Sequence, residues 1–113
     1  MSRNITKSER RRRVWKKTGG VCAHCGRPAT NTRKTIDHFV PLSLGGGFDL
    51  RNLMPLCRRC NQHKGSTKIN AISYYAYAPQ EVLENCLAYK KEWEDKGKSA
   101  AGDLYNSWQE QKQ

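Results

Sequence analysis

The sequence of 113 residues has no long hydrophobic run and few acidic residues. No apolar stretch approaches the roughly 18–20 residues that a helix needs to cross a bilayer. The first 17 residues are basic, and they contain neither the apolar segment nor the small-residue cleavage site of a secretory signal. Internal repeats and low-complexity tracts are also missing. These absences predict a soluble protein that stays in the cytoplasm.

The scarcity of acidic side chains is confined to the first part of the chain. Residues 1–68 hold 16 Lys and Arg against 3 Asp and Glu, whereas residues 69–113 hold 5 against 7. The formal net charge of the whole chain is +11. So large a positive excess in fewer than 70 residues attracts polyanions. We therefore expect nucleic acid as the partner, and an acidic protein or an anionic membrane surface is the alternative.

The chain is too short for two independent cores, and its patterns predict a small α+β fold. A helix is expected over residues 9–17, with Ser8 as its N-cap and Val14 and Trp15 as its apolar patch. A strand over residues 35–40 and a returning strand over 53–56 enclose a flexible glycine loop at 45–47. Further helices are predicted over residues 58–68, over 79–96 and, more briefly, around Leu104 and Trp108.

Four of the five cysteines form two close pairs, Cys22 with Cys25 and Cys57 with Cys60. In a cytoplasmic protein such pairs favour a metal over disulfides, and two Cys-x-x-Cys pairs suit tetrahedral zinc. The 31 residues between the pairs indicate that the ion clamps the ends of an inserted unit. The fifth cysteine, Cys86, lies on the apolar face of a predicted helix, where core packing is expected.

Three side chains in and just after the inserted unit could support hydrolysis of a phosphodiester. Asp37 and the amide oxygen of Asn61 are oxygen ligands suited to Mg²⁺ or Mn²⁺. The imidazole of His38 can accept a proton from water near neutral pH. Neighbouring residues on a regular strand point to opposite faces, so Asp37 and His38 converge only if the strand ends or distorts there, which Pro41 favours.

Four segments of the chain carry a resemblance to a known family: Ile36 to Ser43, Asn52-Leu53, Cys57-Arg58-Arg59-Cys60-Asn61 and Lys64-Gly65. Together they resemble the HNH endonucleases, which have a ββα-metal fold. They are similar to the variant that reads H-N-N, here His38, Asn52 and Asn61. The resemblance spans residues 22 to about 65. Phage junction resolvases are among the zinc-clamped members of this family, so the resemblance implies the cytoplasm of a bacterial or phage-infected cell.

The resemblance also implies a role for each matching residue. His38 would be the general base, Asp37 and Asn61 would hold one Mg²⁺ or Mn²⁺ ion, and Asn52 would orient the loop behind His38. Structural zinc would be bound by the four paired cysteines, Cys22, Cys25, Cys57 and Cys60. Products with 5′-phosphate and 3′-hydroxyl ends are expected. Asn61 in place of the commoner histidine favours magnesium over softer ions.

Several other polar residues have both a functional and a structural interpretation. DNA phosphates could be contacted by Arg10, Arg11, Arg12, Arg13, Arg58, Arg59 and Lys64, although helix-surface cations are often only solvated. Tyr74, Tyr75 and Tyr77 could stack on unpaired bases. We expect instead that at least two of these tyrosines pack the C-terminal helix against the zinc module. His24, inside the first cysteine pair, is expected to face solvent.

These observations predict a DNA endonuclease in two parts. Residues 1–68 would form the basic nuclease module, and residues 69–113 a helical extension that packs on it. The alternatives are a DNA-binding zinc module without catalysis and an adaptor in phage packaging or repair that uses its acidic segment, residues 81–103. DNA is the expected partner, and no membrane is expected. The sequence leaves open whether the chain also forms a homodimer or binds a phage packaging protein.

Overall fold

Two short strands and the helix that follows them form the centre of the fold. The computed structural model describes residues 5–65 and 67–97. Strand β1 (Lys34–His38) pairs antiparallel with β2 (Leu53–Cys57), with Lys34 opposite Cys57 and His38 opposite Leu53. Helix α2 (Arg58–Lys64) follows β2 directly and packs on both strands. The predicted α+β fold with a ββα unit is therefore confirmed.

Helix α1 (Lys7–Lys16) packs on the two strands through its buried residues Val14 and Trp15. The indole nitrogen of Trp15 donates a hydrogen bond to the carbonyl of Thr35, at 2.9 Å, so this tryptophan is a packing residue as expected. The predicted cap was wrong. Thr6, whose backbone is extended, accepts a hydrogen bond from the amide of Glu9, whereas Ser8 already lies inside the first turn.

Two predicted elements end earlier than expected. Strand β1 stops at His38 because the amide of Val40 donates to the side-chain oxygen of Asn52, at 2.8 Å, instead of to a strand carbonyl. Helix α2 stops at Lys64 because Gly65 adopts a φ of 79°, which an α-helix cannot continue through. The end of β1 is thus set by a side chain from the segment that leads into β2.

The glycine loop is held in place, which corrects the expectation of a flexible segment. A short 3₁₀ turn (Leu42–Leu44) leads into it, and the amide of Gly46 donates to the carbonyl of Pro41 at 2.9 Å. Gly46 is buried, and a Cβ atom there would lie 1.8 Å from the carbonyl oxygen of Val40. The side-chain amide of Asn52 donates to the carbonyl of Gly47 at 3.0 Å. The loop therefore has one tightly packed conformation.

Helix α3 (Gln80–Gly97) lies against this loop, and its buried Cys86 packs in the core as predicted. The indole nitrogen of Trp93 donates to the carbonyl of Leu44 at 3.1 Å. The hydroxyl of Tyr89 accepts a hydrogen bond from the amide of Gly47 at 3.0 Å. The predicted short helix around Leu104 lies outside the described residues. None of the described helices has the length and apolar character that crossing a membrane requires.

Candidate metal centre and active site

The structure gathers the four paired cysteines into one cluster. The sulfur atoms of Cys22, Cys25, Cys57 and Cys60 all lie within 4.8 Å of one another. The first pair is folded back by a turn in which the amide of Gly26, at a φ of 75°, donates to the carbonyl of Cys22. Four convergent sulfurs from two Cys-x-x-Cys turns are the donor set that structural zinc takes. The cluster thus fits a zinc ion, as predicted.

The surroundings of the cluster shift the acidity of its thiols in opposite directions. Burial raises the pKa of Cys22 and that of Cys60. Burial also acts on Cys57, but hydrogen bonds from the backbone and side chain of Cys60 outweigh it and lower the pKa of Cys57. Metals bind cysteine as thiolate, so a cation held by the cluster would displace the protons of these thiols.

A residue outside the cysteine pairs connects them. The ring of Tyr74 stacks on His24 with 3.9 Å between the centroids, and its hydroxyl donates to the carbonyl of Cys60 at 2.6 Å. Nδ1 of His24 lies 2.7 Å from the carbonyl of Tyr74. The expectation that His24 faces solvent was therefore wrong. Its position between two cysteines gave no sign of this contact, because Tyr74 is fifty residues away along the chain.

Asp37, near the end of β1, is buried and holds two hydrogen-bond partners. The ammonium of Lys64 lies 3.1 Å from its Oδ1 atom, and both side chains are almost fully enclosed, 0% and 3% exposed. The hydroxyl of Tyr75, a fully buried residue, donates to Oδ2. Burial and the charge of Asp37 raise the pKa of Tyr75, so the phenol stays protonated as a donor. In this position Lys64 cannot meet a DNA phosphate, contrary to our expectation.

His38 ends β1 and lies beside the glycine loop. The ring of Phe48 meets the imidazole edge-on at 4.9 Å, and the guanidinium of Arg10 lies over Phe48 at 4.9 Å. The Nε2 atom of His38 is enclosed, and it has no hydrogen-bond partner among the described residues. Burial lowers the pKa of His38 against the opposing charge of Asp37. The imidazole is therefore neutral at pH 7, the form that can accept a proton.

The two asparagines have different surroundings. Asn52 is fully buried: its Oδ1 accepts from the amide of Val40, and its Nδ2 donates to the carbonyls of Val40 and Gly47. Asn61 is half-buried on α2 and donates from Nδ2 to the hydroxyl oxygen of Thr35 at 2.8 Å. Since Thr35 and Asp37 lie two residues apart on β1, they share the face that α2 covers. His38 contacts the loop instead, through Phe48.

A comparison with protein-family models matches residues 22–67 to the family described as HNH endonuclease. This segment contains the four cysteines, both strands and α2. Residues 22–67 form an HNH domain. The HNH resemblance seen in the sequence is therefore confirmed for this part of the chain.

Two curated proteins are similar to the chain over this length. The CRISPR-associated endonuclease Cas9 of Corynebacterium diphtheriae is 47% identical over 47 residues, which are 41% of this chain and 4% of that protein. Anaredoxin of a Nostoc species is 40% identical over 42 residues, which are 35% of this chain and 55% of that protein. The chain thus spans only a small part of the first relative and about half of the second.

A solved structure is similar in fold over most of the chain. The Type II-C Cas9 enzyme of Actinomyces naeslundii superposes with a TM-score of 0.55 and 18% sequence identity. The match covers 78% of this chain and 13% of that one. At this identity the likeness concerns the fold alone.

The arginines that we expected to contact DNA do not share one environment around the HNH domain. Arg10 lies over Phe48 beside His38, whereas Arg13 forms an ion pair with Glu9 at 2.9 Å. Arg11 and Arg12 line a surface cleft, and Arg58 and Arg59 line a second one. Tyr74 and Tyr75 pack against the zinc module, as expected for at least two of the three tyrosines. The individual partners of these tyrosines and of Phe48 did not follow from the sequence, because no local pattern indicates them.

Proposed function

We propose that the protein is a DNA endonuclease whose HNH domain hydrolyses phosphodiester bonds with one divalent ion. The family match supports nuclease chemistry, and the basic surface of residues 1–68 supports a polyanionic substrate. The observation that carries the proposal is the enclosed, unpartnered Nε2 atom of His38, the residue that follows the buried Asp37 on β1. Buried polar atoms normally have partners, so an orphan in a nuclease domain indicates a place for water or substrate.

In this proposal His38 accepts a proton from the attacking water at Nε2. The neutral imidazole suits that role. Asn52 is a positioning residue: by bonding both polar groups of Val40 it fixes the chain directly after His38 and the loop that carries Phe48. Phe48, which is 54% exposed, meets the imidazole edge-on with 4.9 Å between the ring centroids. The side chain of His38 is therefore held by its neighbours before substrate arrives.

The donor set around Asp37 fits a hard divalent cation. The carboxylate of Asp37 and the amide oxygen of Asn61, whose nitrogen is already committed to Thr35, are oxygen ligands of the kind that Mg²⁺ and Mn²⁺ take. When bound, such an ion stabilises negative charge on the phosphate and on the departing 3′ oxygen. Lys64 would have to release the carboxylate of Asp37 for such an ion to bind there, whereas the hydroxyl of Tyr75 could keep its hydrogen bond to that carboxylate.

We further propose that residues 1–68 form the nuclease module with structural zinc on the four cysteines, and that residues 69–113 form an extension that braces it. Contacts made by two segments of the extension support this division into a module and a brace. Tyr74 and Tyr75 contact the second cysteine pair and Asp37. Helix α3 contacts the glycine loop through Tyr89 and Trp93. The brace thus acts on both candidate metal sites.

Plasmid cleavage tests the proposed activity. Zinc-loaded protein is incubated with supercoiled plasmid and with a branched junction, with and without Mg²⁺ or Mn²⁺. We expect nicked or linear products with 5′-phosphate and 3′-hydroxyl ends only when the ion is present. Replacing His38→Ala should reduce the cleavage rate by roughly 10² to 10⁴. Equal zinc content and melting temperature in the variant show that the loss is chemical.

One observation favours a second candidate, a DNA-binding HNH module without catalysis. The pair of Lys64 and Asp37 satisfies the carboxylate without any metal. If the plasmid binds but is never cut with any divalent ion, this candidate replaces the nuclease. The adaptor alternative has less support, since acidic side chains of α3 pair with the chain's own cations, Glu92 with Arg51 and Glu94 with Lys90.

A further inference from the structure

Two basic clefts flank the turn at residues 30–33, at the opposite end of β1 from His38. The helix cleft has a volume of about 600 Å³ and is lined by the cations Arg11, Arg12, Lys16 and Lys34. The knuckle cleft has a volume of about 460 Å³ and adjoins the cysteine cluster, since Cys25, Cys57 and Cys60 line it; its cations are Arg27, Arg33, Arg58 and Arg59. Among the described residues, no aspartate or glutamate lines either cleft.

The turn between the clefts is a shared and rigid wall. Thr30 and Arg33 line the knuckle cleft, whereas Asn31 and Lys34 line the helix cleft. The amides of Arg33 and Lys34 both donate to the carbonyl of Thr30. Arg58 at the start of α2 donates from its guanidinium to the carbonyl of Thr32 at 2.8 Å. Because these bonds lie within the protein, the clefts exist before any partner binds.

The charges in the clefts are uncompensated, unlike those nearby. Within residues 5–65 and 67–97, none of the eight cleft cations forms an ion pair. By contrast, Arg13 is paired with Glu9, and Arg51 is paired with Asp49 and Glu92. Unpaired cations gathered in a preformed concave site attract a polyanion much more strongly than solvated single side chains do.

The position of the clefts sets a distance from the reacting centre. Lys34 begins β1 and His38 ends it, so the two lie roughly 13 Å apart at about 3.3 Å per residue. Phosphates on one strand of duplex DNA advance about 3.4 Å per nucleotide. The edge of the helix cleft that Lys34 marks, next to Arg33 of the knuckle cleft, therefore lies about four base pairs from a phosphate at His38.

We propose that the two clefts hold backbone phosphates of the DNA duplex about four base pairs to one side of the bond that is cut. The inference rests on the proposed function and deepens it by assigning the surface that holds the flank of the substrate. Such contacts fix the position of the duplex and carry no base information. Because of these contacts, cleavage should require duplex DNA that extends about four base pairs beyond the bond that is cut.

The dependence of DNA binding on salt tests the clefts. Duplex binding is measured in the His38→Ala background, in which the substrate stays intact. The double variants R12Q/K16Q and R33Q/R59Q each remove two of the four cations of one cleft, at solvent-accessible positions. Each should lower the slope of log affinity against log salt by about 0.9 for every phosphate that the variant no longer neutralises. The matched control is Lys91→Gln on α3, 78% exposed and outside both clefts, which should keep the full slope. Unchanged slopes in both double variants would overturn the proposal.

Cleavage mapping tests the distance separately. On end-labelled duplexes, wild-type protein should cut poorly within about four base pairs of one end, because the clefts then have no phosphates to hold. The R33Q/R59Q variant should lose this bias. Uniform cutting up to both ends by the wild type would overturn the assigned distance. If wild-type protein cuts nowhere, the proposed nuclease fails, while the salt slopes still decide whether the clefts bind DNA.

A competition experiment separates DNA from an acidic protein partner. Polyglutamate of the same total charge is added to the complex with duplex DNA. We expect it to compete much less well than duplex, because phosphates spaced along two strands fit the clefts. If polyglutamate displaces duplex from wild-type protein as well as duplex itself does, the clefts are a docking surface for an acidic protein and the DNA proposal is wrong.

Discussion

The ammonium of Lys64 lies 3.1 Å from the carboxylate of Asp37 in a site closed to solvent. The pair joins the last turn of α2 to the end of β1, which are the two elements expected to hold the catalytic ion. A buried charge without its ionic partner is costly, so the pair stabilises the ion-free protein. A divalent ion at Asp37 has to displace this lysine.

We therefore expect Lys64→Met to bind Mn²⁺ more tightly than wild type by at least about tenfold, since a competing positive charge is gone. The same variant should lose about 3–5 kcal/mol of stability without the ion, because Asp37 is left buried and unpaired. Calorimetric titration and melting curves with and without Mn²⁺ measure both effects.

Two variants control this prediction. Adding Asp37→Asn to Lys64→Met removes the carboxylate, and it should abolish the gain in Mn²⁺ affinity. Lys64→Arg keeps a cation at the site and should bind Mn²⁺ like wild type. Mn²⁺ affinity that falls in Lys64→Met would show that the lysine assists the ion instead of competing with it.

Replacing Gly46→Ala should destabilise the fold strongly, because the new Cβ atom would lie 1.8 Å from the carbonyl oxygen of Val40. We expect a loss of several kcal/mol, roughly 3 or more, since backbone must move to relieve the overlap. Gly47→Ala is the matched control: the nearest atom to its Cβ is the hydroxyl of Tyr89 at 3.6 Å, an ordinary contact. Urea titrations of the two variants should differ clearly. Equal stability would contradict the close packing of the loop.

Asn52→Ala should remove three hydrogen bonds and leave the buried polar groups of Val40 without partners. We expect a loss of about 2–4 kcal/mol in the free energy of unfolding, together with slower cleavage, because the chain after His38 is no longer fixed. Asn85→Ala, at an exposed position on α3, is the control and should change stability by less than about 0.5 kcal/mol. Full cleavage by a folded Asn52→Ala would remove its positioning role.

Removing the zinc or replacing Cys57→Ser should unfold the HNH domain, because so small a core depends on the clamp. Zinc analysis and circular dichroism measure the effect, and Cys86→Ala should keep its zinc. Alkylation at pH 8 should label the four paired cysteines only after chelation. Burial raises the pKa of Cys86 to about 12. Its thiolate fraction at pH 8 is therefore on the order of 10⁻⁴ in the folded, zinc-bound protein, where it should take up almost no label.

The sequence predicted the parts of the fold that depend on local patterns and missed those that depend on distant contacts. Cysteine spacing predicted the cluster, alternation predicted strand β1, and a short apolar run predicted the returning strand β2. The N-cap was misplaced by two residues because Thr6 and Ser8 are both good caps, and only backbone geometry separates them. The bond from Tyr75 to Asp37 spans 38 residues, and no periodicity reports it.

In the candidate site, too, the sequence predicted the local pattern of residues and missed the distant contacts. The residue types at Asp37, His38 and Asn61 indicated the chemistry. The contacts around these residues did not follow from the sequence, because they depend on which side chains are buried in the fold. Lys64, for example, looked like a surface cation, yet its side chain is fully enclosed. Asn52, read in isolation, is an ordinary turn former, but its buried bonds hold the segment behind His38.

The hydroxyls of Tyr74 and Tyr75 contact the HNH domain from outside it, and this limits how the domain could be transferred to another protein. The match to the HNH family ends at residue 67, before both tyrosines, and begins at residue 22, after Trp15. A gene fragment that encoded only residues 22–67 would carry the cysteines and the proposed reacting groups without the side chains that hold Cys60, Thr35 and Asp37 from outside. Any host protein that acquires this domain must therefore supply scaffolding of its own, and that scaffolding is free to differ from one host to the next.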